Sequence, residues 1–363
     1  MAGSVRRWAK PGTRRRASGL RVPIAGHARY EGVVQQPHDR LFRHIFSQPE
    51  HAAGELQHVL RAELVAQIDW STLTLLPYSG VDEELRDLRS DLLFSVSCGG
   101  RPLLLYVLME HQSTDERFMA LRLLGYMVRC WEDWRTKNPG RGYLPAIVPV
   151  VVCHDERGWR SPRCFEDLFD IPAEALPLLA PQLVRFEMLL DDLTEAKNDE
   201  LWERAMSDVG RVALYCLSRA RVSPDLAAEL LARKELLRRL AQVGDHGLAA
   251  LGAILRYILE SGETPPERLR ELAHALGPKV EEAFMTGEQV LLQRGEAKGR
   301  AEGKAEGKAE GKAEGTLRVL AARGLAVTAE QRARIMACAD LDQLDRWLER
   351  AVTVASTDAI FSE

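Results

Sequence analysis

The chain lacks the cysteine and histidine patterns that would mark a disulfide framework or a zinc site. Its six cysteines are scattered without a Cys-x-x-Cys pair, and neither Cys153 nor Cys164 forms a zinc template with His154. Glu110-His111 does not belong to a His-Glu-x-x-His motif, which excludes a zincin protease. Scattered cysteines in a chain of 363 residues are typical of reduced, buried thiols, so we expect a cytoplasmic protein without disulfides.

Long apolar runs and a strong net charge are also missing. No stretch of about eighteen apolar residues occurs, so neither a membrane-spanning helix nor a membrane partner is predicted. The formal net charge is -4, so any contact with DNA has to come from local patches. With 46% hydrophobic and 28% charged residues, the composition is that of a globular protein with one large domain and appendages.

Acidic residues are absent from the start of the chain. Met1–Tyr30 contains eight Lys or Arg residues and no Asp or Glu. Such a composition cannot bury a core, so residues 1–36 are predicted to form a disordered basic tail. No apolar segment follows the arginines, which argues against a signal peptide. The tail could contact a nucleic-acid backbone, but a solvated leader or a mis-assigned start codon is the simpler interpretation.

The segment Leu85–Gln112 is the most informative part of the sequence. It contains two short apolar runs, Leu92–Val96 and Leu103–Met109, which are separated by a Gly-Gly turn and predict a buried β-hairpin. Asp91 stands at the entrance of the first strand, and Glu110 directly follows the second. Because the start of one strand lies beside the end of the next in an antiparallel hairpin, these two carboxylates are predicted to meet.

The predicted pair of Asp91 and Glu110 suggests a metal site. Two carboxylates at the rim of an apolar sheet repel each other and lose solvation unless a cation or a shared proton lies between them. Mg²⁺ suits such a pair because it prefers oxygen ligands and keeps open positions for water and substrate phosphates. The alternative is structural: Asp91 caps a strand, and Glu110 forms a salt bridge with an arginine such as Arg101.

These acids also resemble a known signature. Asp91 and Glu110 stand 19 residues apart, and Gln112 lies two positions further on, which is similar to the D…(D/E)-x-K pattern of the PD-(D/E)XK phosphodiesterases. From about Pro37 to Val152 the chain resembles the recombination-promoting nuclease (Rpn), or putative transposase YhgA-like, branch of that superfamily. Three phrases carry this resemblance: PHDRLF at 37–42, SDLLF at 90–94 and MEHQS at 109–113.

The resemblance implies a DNA endonuclease that hydrolyses phosphodiester bonds with Mg²⁺ or Mn²⁺. Asp91 and Glu110 would bind the ion, which would polarise the scissile phosphate and lower the pKa of the attacking water. Gln112 occupies the position that is lysine in the superfamily signature. An amide orients water through hydrogen bonds but cannot donate charge or act as a base, so this departure raises the expectation of weak or lost activity.

Two other functions are compatible with the same sequence. The first is a catalytically degenerate DNA-binding protein with the same fold. The second is a protein-interaction factor that acts through the C-terminal repeat described below. Nicking of plasmid DNA separates the endonuclease from the first, and deletion of Arg294–Glu363 separates it from the second.

Asp39 has two interpretations. It either caps the N-terminus of a helix that begins near Pro37, or it is a third acid that serves as an accessory ligand of the metal site. Asp is a favoured capping residue, so the cap needs no special function and is the preferred interpretation. Glu83 and Glu84 are expected to face water in an acidic turn.

The resemblance implies an α/β fold with the αβββαβ core of PD-(D/E)XK enzymes, a mixed sheet flanked by helices, and a mostly helical C-terminal region. The residue pattern alone predicts only a mixed α/β fold. Besides the hairpin, it predicts a helix over Pro37–Leu64 with a break near Pro49, and strands over Trp70–Tyr78, Tyr143–Cys153 and Leu183–Leu190. The prolines of Tyr143–Cys153 favour an edge strand or a bulge, and His154–Arg157 is predicted to be a polar loop.

A helix is predicted after Ser113 or Thr114, which would cap it. Its predicted buried stripe consists of Phe118, Leu121, Leu124, Met127 or Val128, Trp131 and Trp134. Four arginines lie elsewhere on this helix, at positions 117, 122, 129 and 135. They are expected to form a solvated face, although some could contact the substrate.

The C-terminal part contains a four-residue repeat over Gly295–Gly315, in which glycine alternates with Lys and Ala-Glu. Each glycine costs about 1 kcal/mol in a helix relative to alanine, so the repeat is either a mobile helix that pairs through its glycines, which would give a homo-oligomer, or a flexible linker. The predicted organisation is a basic tail (1–36), a PD-(D/E)XK nuclease-like core (37–195), a helical region (196–290), the repeat (291–315) and a small helical hairpin (316–363).

Overall fold

The computed structural model describes residues 36–77, 92–110, 117–154, 158–194 and 198–361. Five strands form one sheet in chain order. β1, β2 and β3 pair antiparallel, whereas β3, β4 and β5 pair parallel, so the predicted mixed sheet is confirmed. The strands are β1 (Ile68–Leu75), β2 (Leu92–Cys98), β3 (Arg101–Glu110), β4 (Ala146–Cys153) and β5 (Leu189–Asp192).

The predicted hairpin is present as β2 and β3. Its two turn residues, Gly99 and Gly100, have φ values of 55° and 75°, the conformation of the tight turn that joins antiparallel strands and that glycine adopts without steric cost. Cys98 and Arg101 close the ladder on either side of the turn. Leu92, Phe94 and Val96 of the first run and residues 103–107 of the second are buried, as the composition predicted.

β4 corrects one prediction, because it lies between β3 and β5 and is not an edge strand. Its proline is tolerated for a local reason. Pro149 pairs with Tyr106 on β3, and the ladder to β5 begins only at the next residue, Val150. Pro149 therefore lacks its backbone N–H just before the point where β5 becomes a neighbour.

Two other predicted strands were misplaced. The first strand runs over Ile68–Leu75 and not over Trp70–Tyr78. The last runs over Leu189–Asp192 and not over Leu183–Leu190, whose apolar residues precede the strand in irregular structure. Glu187 contributes only an isolated bridge to Cys164.

The N-terminal helix divides where the sequence predicted a break. α1 (Pro37–Phe46) and α2 (Pro49–Val59) are separated by two residues, and α3 (Ala62–Val65) adds one short turn before β1. Proline fits the first turn of a helix because its missing N–H would have no partner there. α1 buries Leu41, Phe42, Ile45 and Phe46.

The crossover helix α4 (Met119–Lys137) joins the parallel strands β3 and β4, but of its predicted buried stripe only Met127 is buried. Phe118 and Leu121 are 56% and 52% exposed. The true buried face is rotated by about one residue around the helix. It consists of Met119, Ala120, Leu123, Tyr126, Met127 and Cys130.

The predicted helical C-terminal region is confirmed. Among the described residues, the α-helices between β4 and the helix that contains the repeat are α5 (Leu176–Leu179), α6 (Asn198–Glu203), α7 (Asp208–Arg219), α8 (Leu226–Leu231), α9 (Lys234–Gln242), α10 (Asp245–Ser261) and α11 (Pro266–Leu276). Short 3₁₀ helices lie at Phe165–Leu168, Ala180–Gln182 and Thr357–Phe361. Apolar side chains of α1, α2, the sheet and α7 to α11 form one buried cluster.

The glycine repeat lies within α12 (Pro278–Ala322), a helix of 45 residues. At about 1.5 Å per residue such a helix is roughly 68 Å long. Its first part packs on α10 and α11, and its last part packs on two further helices, α13 (Ala329–Met336) and α14 (Leu341–Ala351). Thr328 caps α13 through a reciprocal capping box with Gln331.

All six cysteines are free thiols, which confirms the prediction that the chain has no disulfide framework. Within the described ranges, no helix combines the length and the apolar character needed to cross a membrane.

Candidate active site

The carboxyl ends of the three parallel strands form one edge of the sheet. Glu110 is the last residue of β3 and pairs with Cys153, the last residue of β4. Cys153 in turn pairs with Asp192, the last residue of β5. Crevices at the carboxyl ends of parallel strands are where α/β proteins bind their ligands. This edge is therefore the first place to look for a site.

Glu110 is the one predicted catalytic residue whose backbone the structure describes. It ends β3, as the sequence predicted. Asp91 and Gln112 lie outside the described residues, and so does the contact expected between the Asp91 and Glu110 side chains. β2 begins at Leu92, which pairs with Val107 of β3. The predicted roles of Asp91, Glu110 and Gln112 thus stay predictions.

Asp39, the third predicted acid, lies in the first turn of α1. The residue at the N-cap position is Gln36, whose side chain makes no capping hydrogen bond, so the preferred interpretation of Asp39 as the N-cap was wrong. Asp39 instead occupies the third helical position and accepts a hydrogen bond from the Gln36 backbone. A side chain that reaches back in this way forms one half of a capping box.

Burial gives Asp39 an unusual acidity. Its side chain is only 19% exposed, and burial raises the pKa of Asp39 to about 6. The hydrogen bond from Gln36 and the positive charges of Arg122 and Arg40 act in the opposite direction. Part of the Asp39 population is therefore protonated near pH 6, and a nearby cation would favour the carboxylate.

Two buried histidines join α1 to the edge of the sheet. His38 Nε2 lies 3.6 Å from Asp39 Oδ1, and the His38 ring centroid lies 4.9 Å from that of His154. His154 directly follows β4 and lies outside any helix or strand, as the predicted loop requires, but its side chain is buried; Asp155–Arg157 lie outside the described residues. The contact between the two rings places Asp39 next to the end of β4.

Sequence reasoning had given these histidines no role. A signal was present in both cases: His38 precedes Asp39 in a family phrase, and His154 directly follows a buried strand.

Arg122 of α4 contributes positive charge to this region. It lowers the pKa of Asp39, and its Nε donates a hydrogen bond to the Tyr126 hydroxyl at 2.9 Å. Since Tyr126 is buried in the face of α4 that packs on the sheet, this bond restricts the guanidinium. Of the four arginines that the sequence predicted for this helix, Arg122 is thus one that interacts with a predicted site residue.

Asp192, at the end of β5, organises the neighbouring loop. Its Oδ2 accepts a hydrogen bond from the Trp159 backbone N–H at 2.7 Å, and its Oδ1 accepts one from the Thr194 N–H at 3.1 Å. Gly158 has a φ of 69°, and a Cβ there would lie 3.2 Å from Asp192 Oδ2. Both oxygens of the Asp192 carboxylate thus accept hydrogen bonds from backbone N–H groups, which gives this residue a structural role.

One position earlier on β5, Asp191 belongs to a buried ionic cluster. Arg204 donates to both Asp191 oxygens and to Glu55 Oε2, at 3.0 Å in the latter case. Burial and the Asp191 charge raise the pKa of Glu55 well above its usual range, which favours the protonated form of this carboxyl group. Burial opposes ionisation of Asp191, but the hydrogen bonds from Arg204 and Glu55 outweigh it and lower its pKa. This cluster anchors β5 to α2.

The described residues alone do not make a complete metal site: no group of three or more His, Cys, Asp or Glu side chains among them is arranged to hold an ion. What they provide is a row of strand ends with Glu110 at one side, a buried carboxyl group with raised pKa on α1, and an arginine beside it. Carboxylate oxygens are the donors that hard divalent cations prefer. Such an edge is chemically suited to bind a cation and, through it, a phosphate.

Comparison with known proteins is consistent with this arrangement. The model of a family described as "Putative transposase, YhgA-like" matches residues 36–245. The chain is 30% identical over 264 residues to recombination-promoting nuclease RpnA of Escherichia coli K12, an alignment that covers 72% of this chain and 85% of that protein.

Two further relatives bear on activity. Recombination-promoting nuclease RpnD of Escherichia coli O157:H7 is 31% identical over 261 residues, or 70% of this chain and 93% of that protein. The inactive recombination-promoting nuclease-like protein RpnE of Escherichia coli K12 is 29% identical over 271 residues, or 73% of this chain and 84% of that protein. No solved structure is significantly similar to the chain.

Proposed function

The chain belongs to the YhgA-like putative transposase family, and from this premise we propose that it is a metal-dependent DNA endonuclease of the recombination-promoting type. It hydrolyses phosphodiester bonds, with Asp91, Glu110 and Gln112 as its catalytic residues. The family relatives named as nucleases support this function. The three sequence phrases at 37–42, 90–94 and 109–113 support the assignment to the PD-(D/E)XK superfamily.

The observation that carries the proposal is the position of Glu110. It stands at the carboxyl end of β3, in register with the ends of β4 and β5. The Asp39–His38–His154 contacts bring the start of α1 to the end of β4. An acid at such an edge can face a substrate while its backbone stays fixed in the ladder, which is the positioning that catalysis requires.

Mg²⁺ or Mn²⁺ fits the proposed donor set. Asp91 and Glu110 would hold the ion, and Asp39 would serve as an accessory ligand; all three supply the carboxylate oxygens that these ions prefer. The raised pKa of Asp39 favours this assignment, because a buried carboxyl group gains most from a nearby cation. When bound, the ion supplies Lewis-acid polarisation of a phosphate and acidifies a bound water.

The protein's own groups have distinct parts in this proposal. Gln112 orients the attacking water through hydrogen bonds but does not take its proton. Arg122 balances the negative charge of Asp39. His38 packs between Asp39 and His154 and holds the start of α1 against the sheet. DNA is the proposed partner, in the cytoplasm.

The experiment is nicking of supercoiled plasmid DNA by the full chain with Mg²⁺, Mn²⁺ or EDTA. We expect wild type to nick only with a divalent ion, and Asp91→Ala and Glu110→Ala to lose at least about 100-fold in rate. Glu330→Ala, an exposed acid on α13, is the matched control and should retain full activity. Nicking that survives in both site variants would disprove the proposed catalytic pair.

A catalytically degenerate DNA-binding protein is the second candidate. It is favoured by the amide at position 112 and by the similarity to a relative named as inactive. This candidate predicts that wild type and Asp91→Ala bind DNA equally and that neither cuts it. Gel-shift measurements in the same buffer as the nicking assay separate the two functions.

A further inference from the structure

A cleft of about 540 Å³ lies between α1, α10 and α12. A volume of this size is in the range of small-molecule sites. Its floor is formed by small and apolar side chains: Leu41, Leu248, Ala249, Gly252, Ala253 and Ala283. The small residues of α10 and α12 leave the space open, because a longer side chain at these positions would fill it.

The charges at the mouth of the cleft follow an uneven pattern. α1 and α10 run antiparallel, and Arg40 on α1 forms an ion pair with Glu260 on α10. Four residues further along α1, and four residues back along α10, His44 and Arg256 line the same cleft. The ion pair of Arg40 and Glu260 is therefore followed, one helical turn along both helices, by the two basic side chains of His44 and Arg256.

Arg256 and His44 interact unfavourably. The positive charge of Arg256 adds to the effect of burial in lowering the pKa of His44. Neither side chain forms an ion pair or a hydrogen bond with any of the described residues. The remaining acid of the lining, Asp245, lies eleven residues from Arg256 on α10, or about 16 Å along the helix axis. Between these two basic groups there is room for an anion that the described chain does not supply.

We propose that this cleft binds a small organic anion, with a phosphate or carboxylate group between Arg256 and His44 and an apolar body on the floor formed by Leu41 and Leu248. Arg256 provides the fixed charge and the fork of N–H donors that suits such groups. Gly287 of α12 leaves space beside it, since a Cβ there would lie 3.4 Å from Arg256 Nε. His44 donates from its imidazole ring. The proposal is independent of nuclease activity.

The test is isothermal titration of the full-length protein with four probes. Deoxyadenosine monophosphate presents a phosphate on a nucleoside, and octanoate presents a carboxylate on an alkyl chain. Inorganic phosphate and deoxyadenosine supply the headgroup and one body alone. At least one of the two amphipathic anions should bind in a saturable manner, and more tightly than either inorganic phosphate or deoxyadenosine.

Three variants locate the binding. Arg256→Ala and His44→Gln should each weaken it by roughly tenfold or more, the effect expected for loss of a hydrogen bond to a charged group. Arg256→Lys keeps the charge but loses the fork of donors, so it should bind more weakly than wild type and more tightly than Arg256→Ala. Arg239→Ala removes an exposed arginine of α9 outside the cleft and should bind like wild type.

Two results would overturn the proposal. One is the absence of saturable binding of both deoxyadenosine monophosphate and octanoate at millimolar concentration. The other is binding that is unaffected by Arg256→Ala and His44→Gln, or that inorganic phosphate reproduces at equal affinity. Far-ultraviolet circular dichroism of every variant excludes misfolding as the cause of lost binding.

Discussion

Arg204 donates two hydrogen bonds from its guanidinium to the Asp191 carboxylate, from Nη1 to Oδ2 at 2.7 Å and from Nη2 to Oδ1 at 2.9 Å. Both side chains are buried. Arg204→Met would leave the Asp191 carboxylate without its cation in the interior. The loss of a single partner from a buried ion pair costs about 3–5 kcal/mol. Urea unfolding should show this loss, whereas Arg239→Met, at an exposed position, should stay within about 0.5 kcal/mol of wild type.

Glu55, the third member of that cluster, predicts a pH dependence of stability. Its pKa is raised in the folded state by burial and by Asp191, so its contribution is complete at acidic pH and is lost as the pH rises through its folded-state pKa. Glu55→Gln keeps a neutral donor towards Asp191. The variant should match wild type near pH 5 and lose less stability at higher pH, as measured by urea midpoints across this range.

Asp191 limits the range over which this comparison is valid. The pKa of Asp191 is lowered in the folded state, whereas that of Glu55 is raised. Asp191 therefore contributes stability that is lost as the pH falls through its folded-state pKa. Burial lowers the pKa of His58, whose protonated form also lowers the pKa of Asp191. A His58→Gln background separates its contribution, and equal pH profiles of Glu55→Gln and wild type in that background would contradict the raised pKa of Glu55.

Asp39 predicts a proton-linked requirement for metal. Because burial raises the pKa of Asp39 to about 6, protons compete with a cation for this carboxylate below that pH. The Mg²⁺ concentration for half-maximal nicking should therefore rise between pH 7.5 and pH 5.5 in wild type. Asp39→Asn should need several-fold more Mg²⁺ at pH 7.5 and show a smaller change on acidification. If Asp39→Asn needed the same Mg²⁺ concentration as wild type, Asp39 would not be a metal ligand, and its role would be the hydrogen bond with Gln36 at the start of α1.

Gly100 has a backbone conformation that favours glycine, whereas Gly125 lies in a helix, where alanine is preferred. Replacing each by alanine should therefore change the stability in opposite directions. Gly100 has a φ of 75° in the hairpin turn, so Gly100→Ala should destabilise the protein by about 1–2 kcal/mol. Gly125 is exposed in the middle of α4 with open space around it, so Gly125→Ala should stabilise it by about 0.5–1 kcal/mol. Thermal unfolding of both variants measures the difference, and shifts of the same sign would contradict the turn geometry.

The hairpin was predictable because its information is local. Two apolar runs and a pair of glycines determine strand, turn and burial within about twenty residues. The division of α1 from α2 was predictable for the same reason, since Pro49 marks the boundary in the sequence itself. These elements place Glu110 at a strand end, which is the part of the candidate site that the sequence located correctly in the fold.

Other features depend on contacts that a linear pattern does not contain. α4 is apolar over so much of its circumference that spacing could not distinguish Phe118 and Leu121, which are exposed, from Met119 and Leu123, which are buried. Arg204 and Glu55 are 149 residues apart in sequence, and His38 meets His154 only because α1 folds against the end of β4. Each of these required the tertiary structure.

Gln112 supplies the most direct test of how far this chain departs from the nuclease signature it resembles. A lysine at this position would add a positive charge near the scissile phosphate and a group that can exchange a proton, neither of which an amide provides. Gln112→Lys should increase the rate of plasmid nicking if the other site residues are functional. The increase should not exceed about 10²–10⁴-fold, the contribution typical of a general acid or base. Gln112→Ala is the control, because it removes the amide without adding charge, and it should nick no faster than wild type. A lysine variant that stays as inactive as Asp91→Ala would place the defect in the metal ligands, and the protein would then be best described as a DNA-binding member of its family.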